Sequence, residues 1–422
     1  MALKEYAFRY GRGQIRFHLN PAQVTGELRI RDFPPLPAPE ETILEAIRHP
    51  LESKPLMEIV KPGQKVCFIV NDPTRVANSQ VFMPILLQEM NLAGVPDDRM
   101  FIIFAAGAHR ELSEKEMEEL VGPKVSRRVK MYNSDAYNPG QFQYVGTTSR
   151  GTPVSFHKRV LEADHIVCTG SIVHHYFAGF GGGRKAMLPG VAAYETICRN
   201  HALMLEPGAE IGKLKGNPVY EDQIEGVEFR RPSFLLNVVL NEKKEFLKVF
   251  AGDYIWAHRV ACEFVDRVYG VPIARPADIV IASCGGYPKD INVYQLQKTM
   301  DNAWVAVREG GVVIILGECE EGVGSDQYLQ WMKEYKTPEK IEEKTRGEFI
   351  VGGHKAYAVT RLMKKARFIL VSGLKPDLAR TLLFHPAGDL AEALNFAFAQ
   401  TGPTPEILLM PQGSLTVPVL QD

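Results

Sequence analysis

One run, Cys168 to Glu206, gathers most of the groups that can do chemistry. It holds adjacent histidines at His174 and His175, the pair Arg184-Lys185, and a third histidine at His201. Between them, four of the six positions 178–183 are glycine: Gly179, Gly181, Gly182 and Gly183. Glycine permits positive φ and close approach of a ligand to the backbone, at an entropic cost. Such a loop commonly turns its N–H groups toward an anion, so a phosphate or nucleotide cradle is expected, with a structural turn as the alternative. It is not a P-loop, because Arg184-Lys185-Ala186 stands where Gly-Lys-Ser/Thr is needed, and it lacks the GxGxxG pattern with a ribose-binding acid. Lys185 is either a solvated surface lysine or a covalent or phosphate-binding one. The imidazoles suit proton transfer near neutral pH or metal ligation, against core or surface positions. Their spacings match no zinc signature.

Two further sets follow short apolar runs. Lys65–Val70 (KVCFIV) leads to Asp72-Pro73-Thr74-Arg75, and Phe101–Ala106 (FIIFAA) leads to Gly107-Ala108-His109-Arg110. Continuous apolar runs of this length are the pattern of buried parallel strands. A third, His165–Cys168, leads into the glycine loop. In open α/β sheets, ligands bind beyond the carboxyl ends of strands, so Asp72 with Arg75, His109 with Arg110, and His175 with the loop are candidates to converge. The competing readings are a turn-capping Asp72 and an exposed ion-pairing Arg75. In the second half, Gly285-Gly286-Tyr287-Pro288-Lys289-Asp290 precedes a helix on which Tyr294 and Lys298 share a face, with Gln295 beside them. His354-Lys355 opens another helix. A polar helix surface is the alternative for both.

These groups need a scaffold. The 422 residues exceed one ordinary core, so two domains are expected. Strand patterns alternate with helical ones throughout, which predicts an α/β protein of two α/β domains with mostly parallel sheets and an active-site cleft between them. The break at Tyr269–Pro276 divides a cofactor-binding and catalytic domain, 1–270, from a C-terminal domain, 273–402, that closes over the substrate. The last strand, Glu406–Met410, fits either, so 405–422 could complete the first. Residues 121–160 read as irregular, with a β segment at Thr152–His157. Ser113 with Glu116 has capping-box spacing. Net charge of −1 gives no reason to expect nucleic acid or a membrane surface as partner. There is no signal-peptide core and no apolar run of spanning length. Six scattered cysteines without a CxxC pair suit a reducing cytoplasm.

Taken together, Asp72-Pro73-Thr74-Arg75, Gly107-Ala108-His109-Arg110, His175-Tyr176-Phe177-Ala178-Gly179 through Gly182-Gly183-Arg184-Lys185, Leu188-Pro189-Gly190, Asn200-His201, and Gly285-Gly286-Tyr287-Pro288 with Tyr294-Gln295-Lys298 resemble the lactate racemase family, in the same order. The match runs from about residue 70 to 300; the final 120 residues match in style only. The resemblance implies a racemase or epimerase of 2-hydroxy acids that uses a nickel-pincer nucleotide (a pyridinium-3-thioamide-5-thiocarboxylate mononucleotide). Lys185 would hold it covalently through a thioamide. Two sulfurs, a ring carbon and His201 would bind nickel in a square plane, a reasonable set for soft donors plus one imidazole. Thr74, Gly179, Gly181, Gly182, Gly183 and Arg184 would cradle the cofactor. His109 and His175 would be the acid–base pair, Arg75 and Lys298 would hold the substrate carboxylate, Tyr294 and Gln295 would line the site, and Asp72 would orient a neighbour.

Members dedicated to lactate carry a bulky tryptophan near the place of His354-Lys355. A polar pair there implies a larger or dianionic 2-hydroxy acid, such as malate or a sugar acid. His175 is preferred to His174 because it directly precedes the aromatic-glycine stretch. Cofactor-biosynthesis enzymes are implied partners, and an apo form with unmodified Lys185 is the other state to expect. A nicotinamide- or zinc-dependent enzyme on the same scaffold, or a non-catalytic cofactor-binding protein, are the alternatives. Substrate identity and oligomeric state are not encoded in any motif.

Overall fold

The apolar runs that end in polar clusters form strands buried on both faces, as their lack of alternation requires. Val66–Asn71, Met100–Ala105 and His165–Ser171 have almost no exposed side chain. The structure, a computed structural model, describes residues 2–421 and divides into two units, Asp32–Asp266 and Met1–Arg31 with Arg267–Asp422.

In the first unit a six-stranded sheet runs Phe246–Gly252, Phe234–Leu240, His165–Ser171, Val66–Asn71, Met100–Ala105, Lys130–Asn133. All neighbours are parallel except the first two. The chain steps outward from Val66–Asn71 to Met100–Ala105 and Lys130–Asn133. It then returns to place His165–Ser171 on the other side of Val66–Asn71. Connections leaving these two neighbours diverge, which opens a crevice at their carboxyl ends. Helix Ser79–Leu92 buries Phe82, Leu86 and Met90 against Phe68, Val70, Ile102 and Phe104 in one core. The capping box at Ser113 is formed in both directions with Glu116.

The second unit holds six parallel strands in the order His385–Ala387, Arg367–Val371, Val307–Leu316, Ala277–Ser283, Ile407–Met410, Val24–Glu27. This corrects the expected division of the chain. Residues 2–31 do not join the first sheet: Val24–Glu27 pairs with Ile407–Met410, which itself pairs with Ala277–Ser283. The hairpin Lys4–Tyr10/Gly13–Leu19 packs Tyr6, Phe8, Phe17 and Leu19 into the second core. A four-residue edge strand, half exposed, has too weak a pattern to reveal a partner some 380 residues away. The 405–422 segment likewise completes the second unit, not the first. The expected break at 269–276 falls slightly earlier, because helix Trp256–Tyr269 runs across the division at Asp266/Arg267. Residues 121–160 are more regular than expected: Lys130–Asn133 is the sheet edge and Phe142–Thr147 pairs with Pro153–His157. Among the described residues, no helix is long and apolar enough to cross a membrane.

Phe104 is fully buried one residue before the end of the strand that leads to His109. Phe104→Ala should destabilise the first unit by about 3–5 kcal/mol, read by urea unfolding; a loss below about 1 kcal/mol would show that this strand does not anchor the core.

Candidate active site

The three strand ends nearest the crevice deliver the expected groups together. Beyond Val66–Asn71 the chain turns sharply. Asp72 is buried and its Oδ1 accepts from the Thr74 backbone N–H at 2.9 Å and the Thr74 hydroxyl at 2.6 Å. Its Oδ2 takes a very short hydrogen bond with His109 Nδ1, from the loop after the next strand. So Asp72 both caps its turn and orients an imidazole; the two readings are met by its two oxygens. Burial opposes the Asp72 anion, but hydrogen bonds from His109 and Thr74 and the charges of His109 and Arg75 outweigh it and hold the carboxyl below its usual range. A carboxylate only accepts, so His109 carries a proton on Nδ1, and its neutral form has the lone pair on Nε2. The His109 ring is half exposed.

The loop bearing His109 is tied to the Lys185 loop by a hydrogen bond from Gly107 N–H to the Gly190 carbonyl at 3.0 Å. Gly190 is required there: a Cβ would meet Ala186 O at 2.2 Å and Ala105 Cβ at 2.6 Å.

Beyond His165–Ser171, the two adjacent histidines part company. His174 Nε2 meets Asp266 Oδ1 at 2.7 Å and its ring packs on Phe180. His175 turns to Lys185, with Nε2 and Nζ 3.5 Å apart. His175 Nδ1 accepts from the Ala178 N–H at 3.3 Å. A neutral imidazole has one N–H, so with Nδ1 accepting, Nε2 carries the proton and Lys185 must offer a lone pair. The electrostatics agree. Burial, then the charges of Arg184 and Arg75, push the Lys185 amine well below an ordinary lysine. Burial, then Lys185, Arg75, His201 and Arg184, push His175 well below an ordinary histidine. These surroundings disfavour the Lys185 ammonium and favour its nucleophilic amine form.

Phe177 is the hub of this cluster, and sequence reasoning did not single it out. Its buried ring meets His175 edge-on at 4.5 Å, His201 edge-on at 5.0 Å, and Lys185 Nζ at 5.6 Å. Only its place in the motif pointed to it. His201, near the end of helix Tyr194–Ala202, has Nδ1 3.2 Å from Asn200 Oδ1, an acceptor. That leaves Nε2 as the nitrogen with a lone pair, the form that ligates metals.

Two expectations are corrected. Two of the glycine loop's N–H groups are already engaged within the chain: Gly181 N–H donates to the Val173 carbonyl and Gly183 N–H to Asn237 Oδ1, both at 2.8 Å. Glycine is needed there for packing. At Gly179, with φ +73, a Cβ would strike Lys213 O at 2.2 Å, and at Gly183, with φ +55, it would strike the His258 ring at 2.5 Å. Arg184 does not face a ligand either. It is 1% exposed and donates to Gln223 Oε1 at 3.0 Å and to the Ala178 carbonyl at 2.7 Å, over the Tyr220 ring. Burial pushes it down to about 10, still a cation at neutral pH. Thr74 and Arg75 are exposed beside the crevice; Arg75 donates to the Thr74 carbonyl and hydroxyl.

In the second unit, helix Val293–Ala306 carries Tyr294 and Gln295, half-buried, and Lys298, exposed. His354 and Lys355 are mostly buried. Lys355 Nζ donates to Gln297 Oε1 and lies 4.3 Å over the Tyr294 ring. Gln297 in turn donates to Asp301, which also accepts from Arg361 at 3.2 Å. His354 Nδ1 accepts from Gly352 N–H, and burial with the neighbouring Lys355 pushes it down to about 3. This pair is therefore paired within the interior of its own unit rather than presented as an exposed surface.

The donor set bears on a metal. Among the described residues no three His, Cys, Asp or Glu side chains gather around one point. A metal at His201 would need donors brought by another molecule. A thiolated nucleotide fixed on a nucleophilic lysine supplies such donors, so the residues present fit that group.

The state of Lys185 is open to measurement. In unloaded protein, reductive methylation with formaldehyde near pH 7 should label Lys185 ahead of the well-exposed Lys115, read by peptide mass spectrometry. Labelling slower than Lys115 would mean that the amine is charged or closed off.

The lactate racemase N-terminal domain family matches residues 10–212, and the lactate racemase C-terminal domain family matches 273–419. The lactate racemase of Thermoanaerobacterium thermosaccharolyticum is 32% identical over 413 residues, 96% of each chain. That of Lactiplantibacillus plantarum is 31% identical over 381 residues, 89% of each. The structure of the T. thermosaccharolyticum lactate racemase apoprotein superposes with a TM-score of 0.89 at 31% identity, covering 99% of this chain and 100% of that one. A Thermotoga maritima protein, 20% identical with a TM-score of 0.65 over 90% of this chain and 98% of that one, shares the fold. On this evidence the chain is an isomerase of the lactate racemase family.

Proposed function

We propose that this chain inverts C2 of a 2-hydroxy acid, with a nickel-pincer nucleotide held on Lys185. The observation that carries the reading is the Lys185 amine set against His175 and the Phe177 ring that His201 also touches. When bound, the cofactor supplies a reversible hydride acceptor, which makes a poorly acidic C–H bond breakable without a free carbanion. The chain supplies the rest. Lys185 provides the attaching nitrogen and His201 Nε2 the metal ligand. Arg75 binds the substrate carboxylate, a task suited to its planar fork. Lys298, Tyr294 and Gln295 retain the substrate roles that the resemblance implies.

The two histidines differ usefully. His109, with Nδ1–H on Asp72, offers a lone pair and can take the hydroxyl proton; Asp72 stabilises the imidazolium that forms. His175 offers Nε2–H as a hydrogen-bond donor to the oxygen of a flat 2-keto acid, and the proton that His109 took is the one returned to that oxygen. In the unloaded protein that N–H is held by the Lys185 lone pair. Turning the amine into an amide-type nitrogen removes the lone pair and frees His175. A flat keto acid can present either face, and the two imidazoles would serve the two directions in which the enantiomers' hydroxyls point. The substrate is kept at the level of a 2-hydroxy acid, with lactate, malate and sugar acids as the candidates.

Protein produced together with cofactor-biosynthesis enzymes should carry a mass adduct on Lys185 and racemise at least one single-enantiomer 2-hydroxy acid. Lys185→Ala should lose both adduct and activity. His109→Asn should lower kcat by about 10²–10⁴-fold while keeping the adduct. Full activity in the Lys185 variant would refute the proposal.

A further inference from the structure

Behind His201 lies a chain of buried polar side chains that the proposed chemistry does not use. Asn200, Asp222 and Gln223 are fully buried, and Arg184 nearly so. Arg184 Nε donates to Gln223 Oε1 at 3.0 Å. Gln223 Nε2 donates to Asn200 Oδ1 at 3.0 Å. Asn200 Nδ2 donates to Asp222 Oδ2 at 2.8 Å and to the Val219 carbonyl at 3.2 Å. Asp222 also accepts from the hydroxyls of Thr148, at 2.5 Å, and Thr152, at 2.8 Å. Asn200 Oδ1 then faces His201 Nδ1 at 3.2 Å.

The directions in this chain are not arbitrary. A guanidinium only donates, so the Gln223 oxygen must face Arg184 and its amide N–H₂ must face Asn200. A carboxylate and a backbone carbonyl only accept, so the Asn200 N–H₂ must face Asp222 and Val219. Both ends therefore force the same orientation on the Asn200 amide, with its oxygen toward His201. Reversing it would set Asn200 oxygen against Asp222 oxygen and Asn200 N–H₂ against Gln223 N–H₂, leaving buried groups unpaired at about 1–3 kcal/mol each.

We infer that Arg184, Gln223, Asn200 and Asp222 form a polarity relay that locks His201 in the Nδ1–H tautomer and so aims its Nε2 lone pair at the metal. The inference rests on the reading of His201 as a ligand for its purpose, but the lock itself is a property of the unloaded chain. These four are positioning residues. They act as outer partners of a ligating histidine do, fixing its tautomer and ring direction. Arg184, adjacent to Lys185, thus serves the cofactor site from the inside.

The test is histidine ¹⁵N NMR on unloaded protein, with the His201 signal identified by its loss in His201→Gln. Wild type should show protonated Nδ1 and bare Nε2. Asn200→Leu should shift His201 toward the Nε2–H tautomer while circular dichroism stays unchanged. Gln223→Glu keeps Arg184 paired but sets an acceptor against Asn200 Oδ1. It should shift the same signal part-way, and it carries the test if Asn200→Leu does not fold. A wild-type Nε2–H tautomer, or an Nδ1–H signal unmoved in the variants, would overturn the relay and leave the function proposal standing. Metal release from loaded protein tests the other link: about 10-fold faster loss in Asn200→Leu supports the relay's purpose. A lost lock with unaltered metal release would instead overturn His201 as the ligand.

Discussion

The pressure that surrounding burial and positive charge put on one amine is the constraint on which the site depends. For a lysine placed near other cations, both desolvation and like charge disfavour the ammonium. Lys185 sits under both influences, with Arg184 beside it in sequence and Arg75 arriving from another strand end. Burial, and then the charges around it, disfavour the charged form of His175 as well. The backbone then decides which nitrogen of His175 holds the proton, through Ala178 N–H. A nucleophile, a proton donor and their mutual orientation follow from one short turn, Ala178 to Lys185.

That turn is held by buried polar partners rather than by apolar packing. Asn237, inside strand Phe234–Leu240, accepts from Gly183 N–H and donates to the Gly170 carbonyl, so the sheet grips the loop directly. From the other side His258 Nε2 lies 2.9 Å from the Gly181 carbonyl, to which its N–H donates, and packs 3.2 Å from the Arg184 guanidinium. Polar groups in such a place are costly if unpaired and rigid when paired. The glycines serve the same end: they let backbone approach backbone and ring closely enough for these bonds to form. A loop built this way holds Lys185 in one place before any ligand arrives.

The two histidine–carboxylate contacts separate function from framework. Asp72 with His109 stands at the crevice, formed by residues of two neighbouring strand ends. Asp266 with His174 draws the other member of the histidine pair away from Lys185. Adjacent residues in an extended stretch point to opposite sides, so His174 and His175 could not both serve the cluster.

Much of this was legible in residue order. Apolar runs without alternation declared buried parallel strands, and polar groups just past their ends marked the candidate site. The order of motifs carried the family, and the choice of His175 over His174 followed from its neighbours. What tertiary structure alone decided were pairings across long separations and the direction of side chains. Val24–Glu27 finds its partner at Ile407–Met410 because an edge strand needs only backbone complementarity, which leaves little trace in side-chain pattern. Arg184 and Lys185 look equivalent as neighbours in sequence, yet one turns inward to Gln223 and the other outward to His175. Asp222 and Gln223 read as ordinary polar positions of a helix until folding buries them behind His201. Residue type sets what a group can donate or accept; only the fold sets which partner it meets.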